Sequence, residues 1–388
     1  MLKSLLSTAV AATLCTSAAL AADPVKIGMI TTLSGPAGYL GQDIRDGFQL
    51  AIDMEGGKLG DVPVDVLVED DALKPGSGRQ IADRFLNDEG VKLFTGIVFS
   101  NVAGATVPEI LDAGAIFVSP NAGPSEFAGK ECHKNYFVLS WLTDTMQGSA
   151  GRNASDLGYK NAFVLAPNYQ AGKDAITGFK RYFDGEIAGE IYTRLDQTDF
   201  AAEMAQIKAA NPDVVFQFQP GGLGIAFLRQ YQQAGLLGSI PMVIAEPSMD
   251  HAILKAVGDA AEGLNVSGAW NVDLDNDTNR AFVASFEEAY GRAPTMYAAQ
   301  GYDTALAIAS ALKETGGDVD DTEAFRAAML ATEFQSTRGS FSFGTNQHPV
   351  QDWYAMQVVR DDAGKLALKT RKQLMAAHGD PFAADCDL

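Results

Sequence analysis

The residues that could do chemistry come first, and the usual catalytic signatures fail one by one. The chain has no Gly-x-Ser-x-Gly elbow and no His-Glu-x-x-His pair. Gly129-Lys130 is followed by Glu131 where a phosphate loop needs Ser or Thr, and Pro124 stands where its first Gly should be. The segment from Gly222 has Phe227 at the last small position of a dinucleotide fingerprint, where a bulky side chain blocks helix–strand packing. Asp273, Asp275 and Asp277 imitate the start of a calcium loop, but Thr278 replaces its Gly and Ala284 its bidentate Glu. Four His residues, at 133, 251, 348 and 378, are too scattered for a zinc site. The reading is no enzyme, no metal and no cofactor. What remains is polar but uncharged: Ser34-Gly35-Pro36, Phe99-Ser100-Asn101, Asn121-Ala122-Gly123-Pro124, Pro167-Asn168-Tyr169, Gln219-Pro220-Gly221 and Glu246-Pro247-Ser248. Hydroxyls, amides, free N–H groups and aromatic faces in this mixture suit a small polar or amphipathic ligand.

These segments share a position: each follows a short apolar run. Runs at 25–31, 64–68, 93–99, 115–119, 161–166, 213–218, 241–245 and 351–360 read as strands. Helix-period segments stand between them, at 44–54, 79–89, 103–113, 145–157, 174–183, 200–210, 223–234, 277–290 and 297–313, with 33–41 read as a turn-rich loop. Alternation of this kind implies α/β lobes built on mostly parallel sheets. It restarts after about residue 143, so two lobes are expected. Ligands of open parallel sheets bind beyond the C-terminal strand ends, where the polar segments lie.

The chain has 388 residues, with 49 acidic and 29 basic side chains and a net charge of −20. That balance excludes nucleic acid and anionic lipid as partners, since both need clustered Lys and Arg. It leaves a small anionic ligand open. At the N-terminus, Lys3, the apolar stretch 4–14 and Ala19-Leu20-Ala21 have the order of a cleaved export signal. The stretch is too short to span a bilayer, so no stable membrane insertion is expected. Removal of residues 1–21 leaves Cys132 and Cys386 in an oxidising compartment, where one disulfide is the expectation.

The segments VKIGMITTLSGPAGYLGQDIRDGFQLAID, VEDDALKPGSGRQIADRFLNDEGVKLFTGIVFS, FVSPNAGPSE, AQGYDTALAIASAL and TRGSFSF, taken in order, resemble the periplasmic branched-chain amino acid (Leu/Ile/Val)-binding proteins. The resemblance spans essentially the whole mature chain. It implies the solute-binding component of an ABC importer, a monomer in the periplasm that serves inner-membrane permease subunits. It also implies a periplasmic binding protein type I fold: two Rossmann-like lobes joined by three crossovers. Lobe one would be 22–140 with 271–350, and lobe two 141–270 with 351–388. Carried over by position, Ser100 matches the Ser that binds the ligand head group. Asn121-Ala122-Gly123 replaces the family's Ala-Ala-Thr, Tyr169 lies two residues before the position of a family Tyr, Pro220 replaces an aromatic, and Glu246 matches the acid that receives an α-amino group.

The strings NAGPSEFAGKEC and NYQAGKD and the C-terminal Cys resemble a subgroup that includes binders of aromatic carboxylates. Tyr39, Phe99, Trp141 and Tyr169 would edge a pocket for a flat ring. Ser100, Asn121 and the N–H groups of Ala122 and Gly123 would hold its carboxylate, and Gln219 is a further candidate ligand-binding residue. Glu246 pulls the other way, toward an ammonium. The expected function is capture of an aromatic carboxylate or hydrophobic amino acid by lobe closure. A ligand-sensing receptor module and a secreted α/β enzyme are the alternatives.

Overall fold

The computed structural model describes residues 23–388, so the expected signal segment lies outside the described residues. Two sheets organise the chain. The first uses β1 (Val25–Thr31), β2 (Lys58–Leu59), β3 (Val62–Asp70), β4 (Leu93–Gly96), β5 (Ile116–Ser119) and β6 (Tyr136–Val138), in the order β2-β3-β1-β4-β5-β6. Helices α1 (Gly38–Met54), α2 (Pro75–Asn87) and α3 (Ser100–Asp112) connect them. All its pairings are parallel except the short β2–β3 hairpin.

The chain then builds the second sheet. Helix α4 (Thr143–Asp156) leads to β7 (Asn161–Pro167), α5 (Gln170–Tyr182), β8 (Glu186–Thr193), α6 (Ala201–Ala210) and β9 (Val214–Gln217). Then come α7 (Gly222–Gln233), β10 (Met242–Ala245), α8 (His251–Val257) and β11 (Asn265–Gly268). Helices α9 (Asp277–Tyr290), α10 (Met296–Thr315) and α11 (Thr322–Leu330) follow, and α10 returns to pack along α1 of the first sheet. Finally β12 (Phe341–Phe343), β13 (Pro349–Arg360) and β14 (Leu366–His378) add an antiparallel edge to the second sheet. Ahead of residue 350, β12 already pairs with β13 of the second sheet, while Gln347 beyond it still accepts from Val138 N of the first.

Buried strands such as β4 and β9, apolar on both faces, read as continuous hydrophobic runs, as sheets covered by helices on both sides require. The segment 33–41 is only partly a loop. Helix α1 starts at Gly38, because Gly41 lets it press against the end of β1, where a Cβ would meet the Thr32 carbonyl oxygen at 2.1 Å.

A buried arginine ties the passages together. Arg338 Nε donates to Asp303 of α10 at 3.1 Å, and Nη1 donates to the Ser140 carbonyl at 2.9 Å and to Gln351 Oε1 at 2.5 Å. Asp303 also accepts from Ser336 Oγ at 2.6 Å and Thr337 N at 2.9 Å, and Gln351 returns a bond to Ser140 O at 2.8 Å. One guanidinium thus joins the first passage, the third passage and β13. At the second passage, Asn279 accepts from Trp270 Nε1 and donates to the Asn271 carbonyl. A further link is covalent: Cys132, on the first-sheet side, is bonded to Cys386, beyond β14 of the second.

Two outcomes follow. Arg338→Ala, which strands Asp303 without its cation, lowers the unfolding free energy by about 3–5 kcal/mol, as removing one partner of a buried pair does; denaturant titration measures it. The intact mass of the unreduced protein is two hydrogens lower than after reduction.

Candidate functional site

Strand order puts a topological switch point in each sheet. β1 has β3 on one side and β4 on the other; β7 likewise sits between β8 and β9. Connections leave such a strand in opposite directions, which opens a crevice at its C-terminal end. The two crevices face each other. Phe99 and Ser100 follow β4, Tyr169 follows β7, and Phe218 and Pro220 follow β9. The turn after β4 is strained. Gly96 has φ +98° and the β-branched Ile97 has φ +61°, and Ile97 N donates to Ile30 O at 2.5 Å. That turn delivers Phe99 and Ser100 into the crevice.

Between the sheets lies a small cavity of about 30 Å³. Its walls are aromatic and aliphatic: Leu40, Phe99 and Trp141, with Tyr169 and Phe218 opposite. The Tyr169 and Phe218 rings stack at 6.3 Å and 10°, and Phe99 meets Tyr169 at 6.5 Å. Its polar lining is Ser100, Asn121, Thr143, Tyr169 and Tyr297. Among the described residues, no charged side chain lines it.

The hydrogen bonds define what this lining can offer. Ala171 N, from the second lobe, donates to Ser100 Oγ at 2.9 Å, which leaves the serine proton to donate. Asn121 Nδ2 donates to Gln300 Oε1 at 2.8 Å. Burial pushes the phenols of Tyr169 and Tyr297 far above their ordinary range, so both remain protonated donors. Helices α3 and α5 begin at Ser100 and Gln170, beside the cavity, and neither has a side-chain cap. Ala171 N and Val102 N are already taken, by Ser100 Oγ and Phe99 O, but the positive dipole ends of both helices favour an anion between them.

The sequence-derived residues divide into two groups. Phe99, Ser100, Asn121, Ala122, Trp141 and Tyr169 come together on the cavity wall. Ala122 contributes no free N–H, however: it donates to Ile97 O at 3.2 Å, because the segment after β5 folds back on the strained turn. Gly123 sits behind the wall, its carbonyl accepting from Thr143 N at 2.8 Å. Tyr39 reaches across the cleft to donate to Asp250 Oδ2 at 2.9 Å. Gln219 is fully buried against Thr193 and Ser248.

Glu246 is also off the cavity wall. Its carboxyl group accepts from Ala269 N at 3.0 Å and Trp270 N at 3.1 Å, at the end of β11, so it braces the second passage. Burial outweighs those two bonds and raises its pKa to about 8. Tyr297, Thr143, Met146 and Phe218 were missing from the sequence reading. Tyr297 and Met146 read as ordinary apolar positions of helices α10 and α4, and only the packing of those helices against the cleft exposes them to it.

Residues 24–365 match the family model described as periplasmic binding protein. A Leu/Ile/Val-binding protein homolog of Brucella melitensis is 29% identical over 98% of this chain and 99% of its own. A solved ABC transporter solute-binding protein of R. palustris, in complex with benzoate, superposes with a TM-score of 0.89 at 30% identity, over 94% of this chain and all of the other. A solute-binding protein of Rhodopseudomonas palustris BisB5, with 3,4-dihydroxybenzoic acid, gives 0.86 at 29% identity, over 92% and 99% of the two chains. With its two-lobed, mostly parallel α/β architecture of type I, the chain belongs to the periplasmic binding protein family.

Proposed function

We propose that this protein is the periplasmic solute-binding component of an ABC importer and that it captures an aromatic monocarboxylate. The observation that carries the ligand class is the uncharged, aromatic-walled cavity into which two uncapped helix N-termini open. Protonated phenols, Ser100 and the helix ends offer hydrogen-bond donors and positive dipole to one end of a ligand. A free α-amino group would enter the same space without a carboxylate to pair it, at a desolvation cost of several kcal/mol. The benzoate and dihydroxybenzoate in the two R. palustris proteins support this reading. The amino acid named for the Brucella relative is the competing ligand class.

Capture works by closure and involves no covalent chemistry. The ligand touches both lobes only when they are shut, so it stabilises the closed state differentially, and a permease reads that state. Other polar contacts also cross the cleft. Tyr39 donates to Asp250, and Ser125 donates to Asp174 through N at 2.9 Å and Oγ at 2.6 Å. The mature chain begins at Ala22, and no helix among the described residues is long and apolar enough to cross a membrane.

Burial in the shut cleft raises the pKa of both Asp174 and Asp250 to about 6. Opening rehydrates them and returns them toward the ordinary carboxylate range. The closed state therefore binds more protons between about pH 4 and pH 6, and closure strengthens as pH falls through that window.

Isothermal titration should find tight binding of benzoate or a hydroxybenzoate and none of leucine; tight leucine binding with no aromatic acid bound would reverse the ligand class. Ser100→Ala should weaken the aromatic acid by roughly 10- to 100-fold, the loss of one hydrogen bond to a charged group. Affinity should rise from pH 7 to pH 5 by up to about tenfold for each aspartate. Asp174→Asn should flatten its share, and a slope of opposite sign would refute the assignment. Mass of the periplasmic product should begin at Ala22.

A further inference from the structure

A second space adjoins the cavity on the mouth side of the cleft. It is lined from the first lobe by Pro36, Ala37 and Leu73, and from the second by Leu195, Leu223 and Ala226. Its volume is about 370 Å³, against about 30 Å³ inside. Phe99 and Pro220 belong to both linings. They are the wall between the two spaces. Pro220 supplies backbone and a fixed ring, so the part of the wall that substitution can shrink is the Phe99 side chain.

That side chain is held rigidly. It is 3% exposed, it packs on Tyr169 at 6.5 Å, and it follows directly from the strained Gly96-Ile97 turn. On the far side of the outer space, Ala72 and Leu73 have φ of +51° and +58°. Asp70 and Asp71 fix them by accepting from Ala72 N at 2.8 Å and Leu73 N at 2.7 Å. Leu73 is thus presented to the cleft at the expense of backbone strain, an arrangement that persists only where the surroundings over-determine it. The outer space is mostly apolar, with Asp196, Gln197 and Thr198 also in its lining, and it stands outside the compartment that meets the helix ends.

We infer that Phe99 sets the length of ligand this protein accepts: it confines a carboxylate to the inner cavity, and its removal joins the outer space as a pocket for the ring of an arylalkyl carboxylate. The inference rests on the aromatic-carboxylate reading and extends it. The carboxylate keeps its place at the α3 and α5 N-termini in both cases. A flexible arm of three carbons then carries the distal ring past the position of the Phe99 ring, onto Pro36, Leu73 and Leu223. In the native protein the same arm has to displace a buried aromatic ring, which the strained turn and the Tyr169 contact oppose.

The test compares benzoate with 4-phenylbutyrate by isothermal titration. The native protein should prefer benzoate. Phe99→Ala should weaken benzoate, strengthen 4-phenylbutyrate and shift their affinity ratio by at least about tenfold, the scale on which pocket volume discriminates apolar groups. Adding Ala226→Trp refills the outer space and should return the ratio toward its native value. Should Phe99→Ala not fold, by thermal melt, Phe99→Leu carries the same comparison with a smaller shift. A ratio unchanged within twofold in a folded variant overturns the partition while leaving the ligand class intact. So does a native protein that binds both acids equally. Failure of the folded native protein to bind either acid overturns the aromatic-carboxylate reading itself, and the partition with it.

Discussion

Everything that the cleft does depends on how three chain passages are held, and that constraint is concentrated on Arg338. Its guanidinium is buried, so it has to be neutralised and hydrogen-bonded, and Asp303 and the Ser140 carbonyl do both. The partners belong to different stretches of chain: α10, the segment after β6, and β13. An apolar core could hold these segments together, but it would not fix their register, since hydrophobic contact is non-directional. A forked cation with five donors fixes direction as well as distance. Glu246 performs a related task at the other passage, fastening the end of β11 by its two backbone bonds. The lobes can then rotate about fixed points, and the strand ends they carry meet in a reproducible arrangement.

The site is built by the same economy. Both switch points are consequences of strand order, and strand order in a parallel sheet follows from right-handed crossovers. The chemistry at the cleft therefore needs few dedicated groups. Backbone N–H donors come from the first turns of α3 and α5, aromatic walls come from strand-end residues, and one serine bridges the lobes. Such donors are fixed by the fold, so the lining need not be reorganised around an incoming anion.

Much of this was legible in the residues, and the gaps have a common cause. Strands β1, β4, β5, β7, β9 and β10 announce themselves as short apolar runs, and Phe99, Ser100, Asn121 and Tyr169 follow β4, β5 and β7 directly. Helix starts were less legible. α3 and α5 begin three and four residues before the periodicity indicates, because Phe99 and Tyr169 stand where Ser, Thr, Asp or Asn would signal a cap. Strand β14 escaped for another reason: Lys369, Arg371 and Lys372 give it the look of a solvated segment, which suits the outermost position it takes in the sheet. Tyr297 was missed because long-range packing, and not local pattern, decides which way it faces.

An anion bound by a chain of net charge −20 looks paradoxical until length scales are compared. The acidic side chains lie largely on the surface, where salt screens them beyond about 8 Å. Their effect falls on encounter, since an approaching anion meets a weakly repulsive field and associates more slowly. Inside the shut cleft the opposite holds. Water is excluded, no side-chain charge lines the wall, and the nearest fixed polarity is the positive end of two helices. There a few partial charges outweigh many distant full ones, because the low local dielectric magnifies what is near. Surface and cavity thus act on different steps. Acidity sets solubility and the rate of approach, and closure sets how long the ligand stays.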